Sequence, residues 1–335
     1  MKKDIYEIEY KSKLDLVETQ KAIKFVKDNF QKKLAKKLNL LRVSAPLFVN
    51  PSSGLNDGLS GVERPISFSV DDINCNVEII HSLAKWKRMA LGKYNFAKDS
   101  GLYTDMNAIR KDEHLDFMHS VYVDQWDWEK VIDDSQRTYS YLKKVVKDIY
   151  SCIYKLSLDV EKNYPSLKHN LPKDIFFIST KQLEKLYPNK TRKEREDLIC
   201  KEHKAVFLYQ IGNNLKDKKP HDLRAADYDD WKLNGDILVY YELYDMAFEL
   251  SSMGIRVNKD SLVKQLKQKN ESYKLENDYC KSILNDTIPL SIGGGIGQSR
   301  LCMFMLQKAH IGEVQASIWD EKEIKELEKH NIYLL

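Results

Sequence analysis

Four glycines, Gly293, Gly294, Gly295 and Gly297, fall within five positions of a chain that has only 13 among its 335 residues. Residues without a Cβ weaken regular structure, so such a cluster belongs where the backbone turns tightly or must admit another group closely. Glycine and proline together make about 6% of the chain, where roughly 12% is usual, which predicts short loops. The length permits two domains, but this economy favours one compact body over residues 1–335. The segment Ser291-Ile292-Gly293-Gly294-Gly295-Ile296-Gly297-Gln298-Ser299-Arg300 reads as a short strand at 290–292, a glycine turn and a helix over 298–306. Open N–H groups at a helix start and the Arg300 guanidinium suit a phosphate. The string is neither a P-loop nor a dinucleotide fingerprint, so a nucleotide site competes here with a tight structural turn.

The 54 Lys and Arg against 50 Asp and Glu leave a net charge of +4, too small for a nucleic-acid or membrane-surface protein; anion binding must be local. No stretch is apolar enough to span a bilayer, and Met1-Lys2-Lys3-Asp4 leads into no apolar targeting segment, so a cytoplasmic protein is expected. The five cysteines form no CxxC pair, which speaks against a disulfide framework or structural zinc.

Apolar residues at helical spacing predict a long amphipathic helix over 16–38, ended before Val43-Ser44-Ala45-Pro46, and another over 136–161. Short β-favouring runs at 66–70 and 75–80 bracket a turn, and 102–109 pairs with 121–128 across a polar tip. Further strands are expected at 175–178, 206–211, 237–240 and 247–251, and helices at 83–91, 180–186, 193–204 and 276–284. Many strands separated by turns predict an α+β fold, a mostly antiparallel sheet flanked by helices.

Within this frame, Glu249 and Ser251 share one face of their strand, a hard-oxygen pair suited to Mg²⁺, with Arg256 placed for a phosphate. Arg110 stands where a strand enters the polar tip. Gln125, Asp127 and Glu129 alternate on the returning strand opposite Trp126 and Trp128, a polar floor or a solvated face. Ser82, Lys85, Lys87 and Arg88 read by default as a solvated basic helix face. Asp227, Asp229, Asp230 and Asp236 gather around Tyr228 and Trp231 in a loop-like stretch able to bind an ammonium or a metal.

Taken in order, His81-Ser82-Leu83-Ala84-Lys85-Trp86-Lys87-Arg88, the run from His119 to Glu129, Asp227-Tyr228-Asp229-Asp230-Trp231, the run from Phe248 to Arg256 and the run from Gly293 to Arg300 resemble the ammonia-dependent asparagine synthetases (aspartate–ammonia ligases), relatives of the class II aspartyl- and asparaginyl-tRNA synthetases. The resemblance covers nearly the whole chain and implies a class II synthetase-like catalytic domain without an anticodon-binding domain. The helix ending near Pro46 then looks like a homodimer interface, Arg110 and its loop like the second class II motif, and Gly293 to Arg300 like the third.

The implied reaction joins L-aspartate and ATP into β-aspartyl adenylate with release of pyrophosphate; ammonia then gives L-asparagine and AMP. By resemblance, Arg110 bridges the α-phosphate and the attacking carboxylate, with Lys87 as a second cation. Glu249 holds Mg²⁺ with Ser252 or Asp236. Arg300 meets the adenine or terminal phosphate, Arg256 the departing phosphates, and Tyr228 and Asp229 the nucleotide, above a floor of Gly293, Gly294, Gly295 and Gly297. Ser82, Gln125, Asp127, Asp229 and Ser251 face aspartate, and Asp57 closes over the substrate and helps receive ammonium or take its proton. Only Lys232 separates Trp231 from Leu233-Asn234-Gly235-Asp236, a shorter connection than the family pattern. No cysteine follows the initiator, which disfavours a glutamine-dependent amidotransferase; the small net charge disfavours a tRNA synthetase; and Arg110, Glu249 and Arg300 disfavour an inactive paralogue.

Overall fold

The helix expected over 16–38 is α1 (Leu16–Leu38), started by Asp15 and Glu18 in a capping box and stopped by Asn39 at φ 60°. Its buried stripe, Ala22, Ile23, Val26, Phe30, Leu34 and Leu38, has the predicted spacing. The computed structural model describes residues 4–56, 58–59 and 63–335. Asp57 lies outside the described residues.

After α1 come β1 (Leu40–Arg42), β2 (Phe48–Val49), β3 (Ser67–Val70), β4 (Cys75–Ile79), α2 (Ala84–Lys93), β5 (Gly101–Ile109), β6 (Tyr122–Val131), α3 (Tyr139–Asn163), β7 (Phe176–Ser179), α4 (Thr180–Leu186) and α5 (Arg192–His203). Then follow β8 (Ala205–Tyr209), β9 (Asp229–Tyr241), β10 (Met246–Arg256), α6 (Lys259–Gln268), α7 (Asp278–Leu284), β11 (Ser291–Gly297), α8 (Gln298–Met305) and α9 (Glu321–Lys329). Eight strands form one sheet in the order β1-β5-β6-β11-β10-β9-β8-β7, and β2-β4-β3 form a small second sheet. In the large sheet only the end pairs β1/β5 and β7/β8 are parallel. The expected antiparallel α+β architecture is the one observed.

One face of the large sheet carries the core. Trp126, Trp128, Ile292, Ile296 and Met253 pack there with Val26, Phe30 and Leu34 of α1, Leu142 and Ile149 of α3, and Leu301 of α8. Alternation sends Gln125, Asp127 and Glu129 to the opposite face, which is where the site lies.

Three local readings change. The aspartate-rich stretch is strand: β9 begins at Asp229 and runs 13 residues, so the short connection at Lys232 lies inside a strand. Helix α6 was not anticipated; Asn258 caps it on Ser261, and its apolar signal is short, Leu262 and Leu266 being buried while Val263 is exposed. The glycine run is the strand β11, the fourth of the eight. Glycine's weak strand preference makes such a run look like a turn until its neighbours are known.

Candidate active site

None of the four clustered glycines has a positive φ, so what they contribute is the missing Cβ. Strand β11 is registered against β6 with Gly293 opposite Glu129, Gly295 opposite Asp127 and Gly297 opposite Gln125. A Cβ on Gly293 would lie 1.9 Å from Glu129 Oε2, and one on Gly295 would lie 2.4 Å from Gln125 Oε1 and 2.8 Å from Asp127 Oδ1. On the next strand Gly254, the register partner of Gly293, would meet Asp229 Oδ1 at 2.8 Å. At these positions two adjacent strands therefore carry no side chain, so that polar groups from β6, β9 and β10 can lie across them.

Those groups form a buried charge network. Arg256 donates from Nε and Nη2 to Glu129, at 2.9 and 2.7 Å, and from Nη1 to Asp229 at 2.5 Å; Ser291 Oγ donates to Glu129 at 2.7 Å. Burial pushes the Glu129 carboxyl up, but Arg256, Lys87 and Ser291 outweigh it and hold it below its ordinary value. Asp229, with a single Arg256 contact, is raised by burial. Lys87, 1% exposed, is 3.2 Å from Asp127 Oδ2 and donates to Gly294 O at 2.9 Å. Its ammonium is lowered by burial against the pull of Asp127.

The two cations expected beside the phosphates are both paired here: all three nitrogens of Arg256 donate to carboxylates, and Lys87 has Asp127 as its counter-ion. The basic face of α2 is not solvated either: Lys85 pairs with Asp227 at 3.2 Å, and Arg88 donates to Val257 O and Pro289 O at 2.7 and 3.0 Å. The remaining aspartates are likewise matched, Asp230 with Arg137 at 2.8 Å and Asp236 with Arg224 at 2.5 Å.

A β-bulge reorders the presumed metal pair. Glu249 is opposite Leu238, Ser251 opposite Ile237 and Ser252 opposite Asp236, so β10 carries an extra residue at Leu250. Glu249 thus shares its face with Ser252 and Asp236 rather than with Ser251. Ser251 is registered with Ile296 on the core side, and its hydroxyl donates to Gly295 O at 2.9 Å. Burial and the Glu249 charge raise the Asp236 carboxyl well above its ordinary value, with Arg224 acting against them. Asp236 Oδ1 has no hydrogen-bond partner among the described residues.

Among the described residues of the cleft, two guanidiniums have no close carboxylate partner. Arg110 donates only to His81 O, at 3.3 Å, and its buried Nε has no partner among the described residues. Arg300 donates to Glu249 O at 3.3 Å and comes within 4.0 Å of Glu249 Oε2. Both line a cleft of about 430 Å³ with Ser82, Lys87, Gln125, Asp127, Tyr228, Asp229, Glu249, Ser251, Ser252, Arg256, Gly294, Gly295 and Gly297. Gly293 and Asp236 stand behind this lining. Sequence reasoning passed over Arg224, which lines the cleft, and the partnership of Glu129 with Arg256. Arg224 stands three residues before Asp227, close enough to the quoted motif to have been noticed.

A sequence profile for the aspartate–ammonia ligases matches residues 17–331. The chain belongs to the aspartate–ammonia ligase family. It is 57% identical over 328 residues to the aspartate–ammonia ligase of Clostridium tetani, covering 98% of this chain and 96% of that one. With that of Ruminiclostridium cellulolyticum it shares 56% over 327 residues, 97% of each chain. Among solved structures it resembles asparaginyl-tRNA synthetase from Pyrococcus horikoshii complexed with asparaginyl-adenylate, with a TM-score of 0.65 at 15% identity, covering 90% of this chain and 70% of that one. Aspartyl-tRNA synthetase from Entamoeba histolytica matches with a TM-score of 0.60 at 14% identity, covering 91% and 58%. The fold of this aspartate–ammonia ligase family member is therefore that of the class II synthetase core.

Proposed function

We propose that this cleft makes L-asparagine from L-aspartate, ammonia and ATP by way of β-aspartyl adenylate. A β-carboxylate oxygen of aspartate attacks the α-phosphorus, the bond to the β-phosphate breaks, and pyrophosphate departs. Ammonia nitrogen then attacks the acyl carbon, and AMP leaves. The observation that carries this reading is the division of cations: the floor is internally neutralised, while Arg110 has no carboxylate partner among the described residues and Arg300 only a distant one.

Bringing two anions together needs a cation between them, and Arg110 supplies it to the α-phosphate and the attacking carboxylate. Arg300 holds the adenine or terminal phosphate beside Tyr228, over Gly294, Gly295 and Gly297. Gln125, Asp127 and Asp229 receive the amino-acid end of aspartate; Asp127 Oδ1, buried with no partner among the described residues, is suited to an ammonium. Ser82 lies on the same cleft wall. Lys87 positions Asp127, and Glu129 with Arg256 positions Asp229. Asp57 receives the ammonium proton as ammonia attacks.

The donors Asp236, Glu249 and Ser252 fit Mg²⁺: two carboxylates and a hydroxyl on one face, one carboxylate oxygen unsatisfied, match an ion that completes its shell with phosphate oxygens. When bound there, Mg²⁺ neutralises the phosphates. The enzyme works as a homodimer through α1 and in the cytoplasm; no helix of the described residues is long and apolar enough to cross a membrane.

The test is aspartate-dependent exchange of pyrophosphate into ATP, followed by asparagine formation with ammonium, glutamine or tRNA as acceptor. Exchange should require aspartate, and ammonium should be the effective acceptor. Absence of exchange overturns the reading, and product formed only on tRNA makes the chain a synthetase. Arg110→Ala should lower exchange by about 10²–10³-fold.

A further inference from the structure

Arg224 sits in the connection between β8 and β9, on the cleft wall. Its Nη2 is 2.5 Å from Asp236 Oδ2, and its Nη1 is 3.3 Å from Asp222 Oδ2. Asp236 and Glu249 are the two carboxylates assigned above to Mg²⁺, so a side chain of the protein already stands against the metal's principal ligand. The pairing is incomplete. Asp236 Oδ1 has no partner among the described residues, and Arg300 approaches Glu249 Oε2 only to 4.0 Å.

The segment holding Arg224 is tied at both ends and open between them. His221 Nε2 lies 2.8 Å from Glu196, and Trp231 Nε1 donates to Ala225 O at 3.1 Å, whereas the Asp222 side chain is 60% exposed and Leu223 is 53% exposed. A long guanidinium on such a segment can exchange one anion for another without disturbing the sheet. Its forked donors fit phosphate as well as carboxylate.

We propose that Arg224 is a resident counter-ion for the metal carboxylates, bound to Asp236 in the empty enzyme and transferred to the nucleotide's phosphates when the metal enters. The inference rests on the reading that Asp236 and Glu249 hold the divalent ion. Without nucleotide, the ion must displace Arg224 and has only water to complete its shell. With ATP, the phosphates complete the shell and at the same time receive the displaced guanidinium. Arg224 thereby couples metal binding to nucleotide binding and keeps two carboxylates from facing each other uncompensated in a half-buried wall.

The experiment is titration of Mn²⁺ into the nucleotide-free full chain, followed by the spectroscopic signal of free Mn²⁺, for the wild type, R224Q, R224K, D236N and R224Q/D236N. R224Q should bind Mn²⁺ at least about tenfold more tightly than the wild type, since a close charge competitor is gone. R224K, which keeps the charge but not the fork, should fall between them. In steady-state assays R224Q should raise KM for ATP while leaving KM for aspartate unchanged. Equal Mn²⁺ affinity in the wild type and R224Q, with D236N weakening both, overturns the exchange and leaves the metal site standing. Mn²⁺ binding indifferent to D236N in every background overturns the metal site itself. If R224Q does not fold, R224K decides: tightening of a few-fold supports the exchange, and no change overturns it.

Discussion

At the residue scale, the floor of the cleft is a set of charges each matched to a partner far away in sequence; Glu129 and Arg256 are 127 positions apart. Such a pair contributes little as an isolated ion pair but leaves a costly unpaired charge when broken, about 3–5 kcal/mol. Glu129→Gln keeps the volume, removes the charge and should strand Arg256. We expect unfolding in denaturant at clearly lower concentration and a raised KM for aspartate through the loosened Asp229. Gly293→Ala is the steric counterpart, because its methyl would lie 1.9 Å from Glu129 Oε2 and near Arg256 Nη2. It should cost upwards of about 1–3 kcal/mol and abolish pyrophosphate exchange, both measurable on purified protein.

At the element scale, stability comes from amphipathic helices laid on a sheet whose two faces carry opposite chemistry. Helix α1 depends on its cap: Asp15→Ala removes the acceptor for Glu18 N–H, at 2.7 Å, and should lower stability by about 1 kcal/mol without altering turnover. Helix α1 also reaches the site. Lys27 Nζ is 3.0 Å from Asp124 Oδ2, and Asp124 Oδ1 accepts the Ser299 N–H at 3.0 Å. A carboxylate at the start of α8 thus steadies the turn that carries Arg300. Asp124→Asn should raise KM for ATP more than KM for aspartate. Helix and hairpin positions were legible in the sequence because 3.6- and two-residue periodicities are local. The bulge at Leu250, the reach of β9 and the strand character of 291–297 were not, since each depends on what the neighbouring strand presents.

At the scale of the whole molecule, one contribution to acid stability lies where the C-terminal segment closes on the core. His310 is fully buried, its Nδ1 accepts the Gly312 N–H at 3.0 Å, and its ring packs edge-on against Trp319. Burial lowers its pKa from 6.5 to about 4. An acceptor nitrogen in this setting cannot be protonated without losing its bond. The unfolded chain therefore binds a proton that the folded chain refuses between these two values. The associated stability is intact above pH 6.5 and is lost as pH falls toward 4, by roughly 3 kcal/mol at most. The melting temperature should fall across that interval, and His310→Gln should flatten the dependence. A wild-type curve that is level there would show that another group controls the transition.

The sequence by itself determined the α+β class, the helices and most strands, the cleft's residue types and their order along the chain, because these follow from local periodicity and from side-chain chemistry. It also marked Gly293, Gly294, Gly295 and Gly297 as a place where side chains had been given up. Only the tertiary structure decided why: a central strand stripped of side chains so that Arg256, Glu129, Asp127 and Gln125 can cross it. It likewise decided which cations are spent and which are free. Charges compensate through space at about 3 Å, as with Lys87 and Asp127, and sheet register, not distance along the chain, determines which of them come that close.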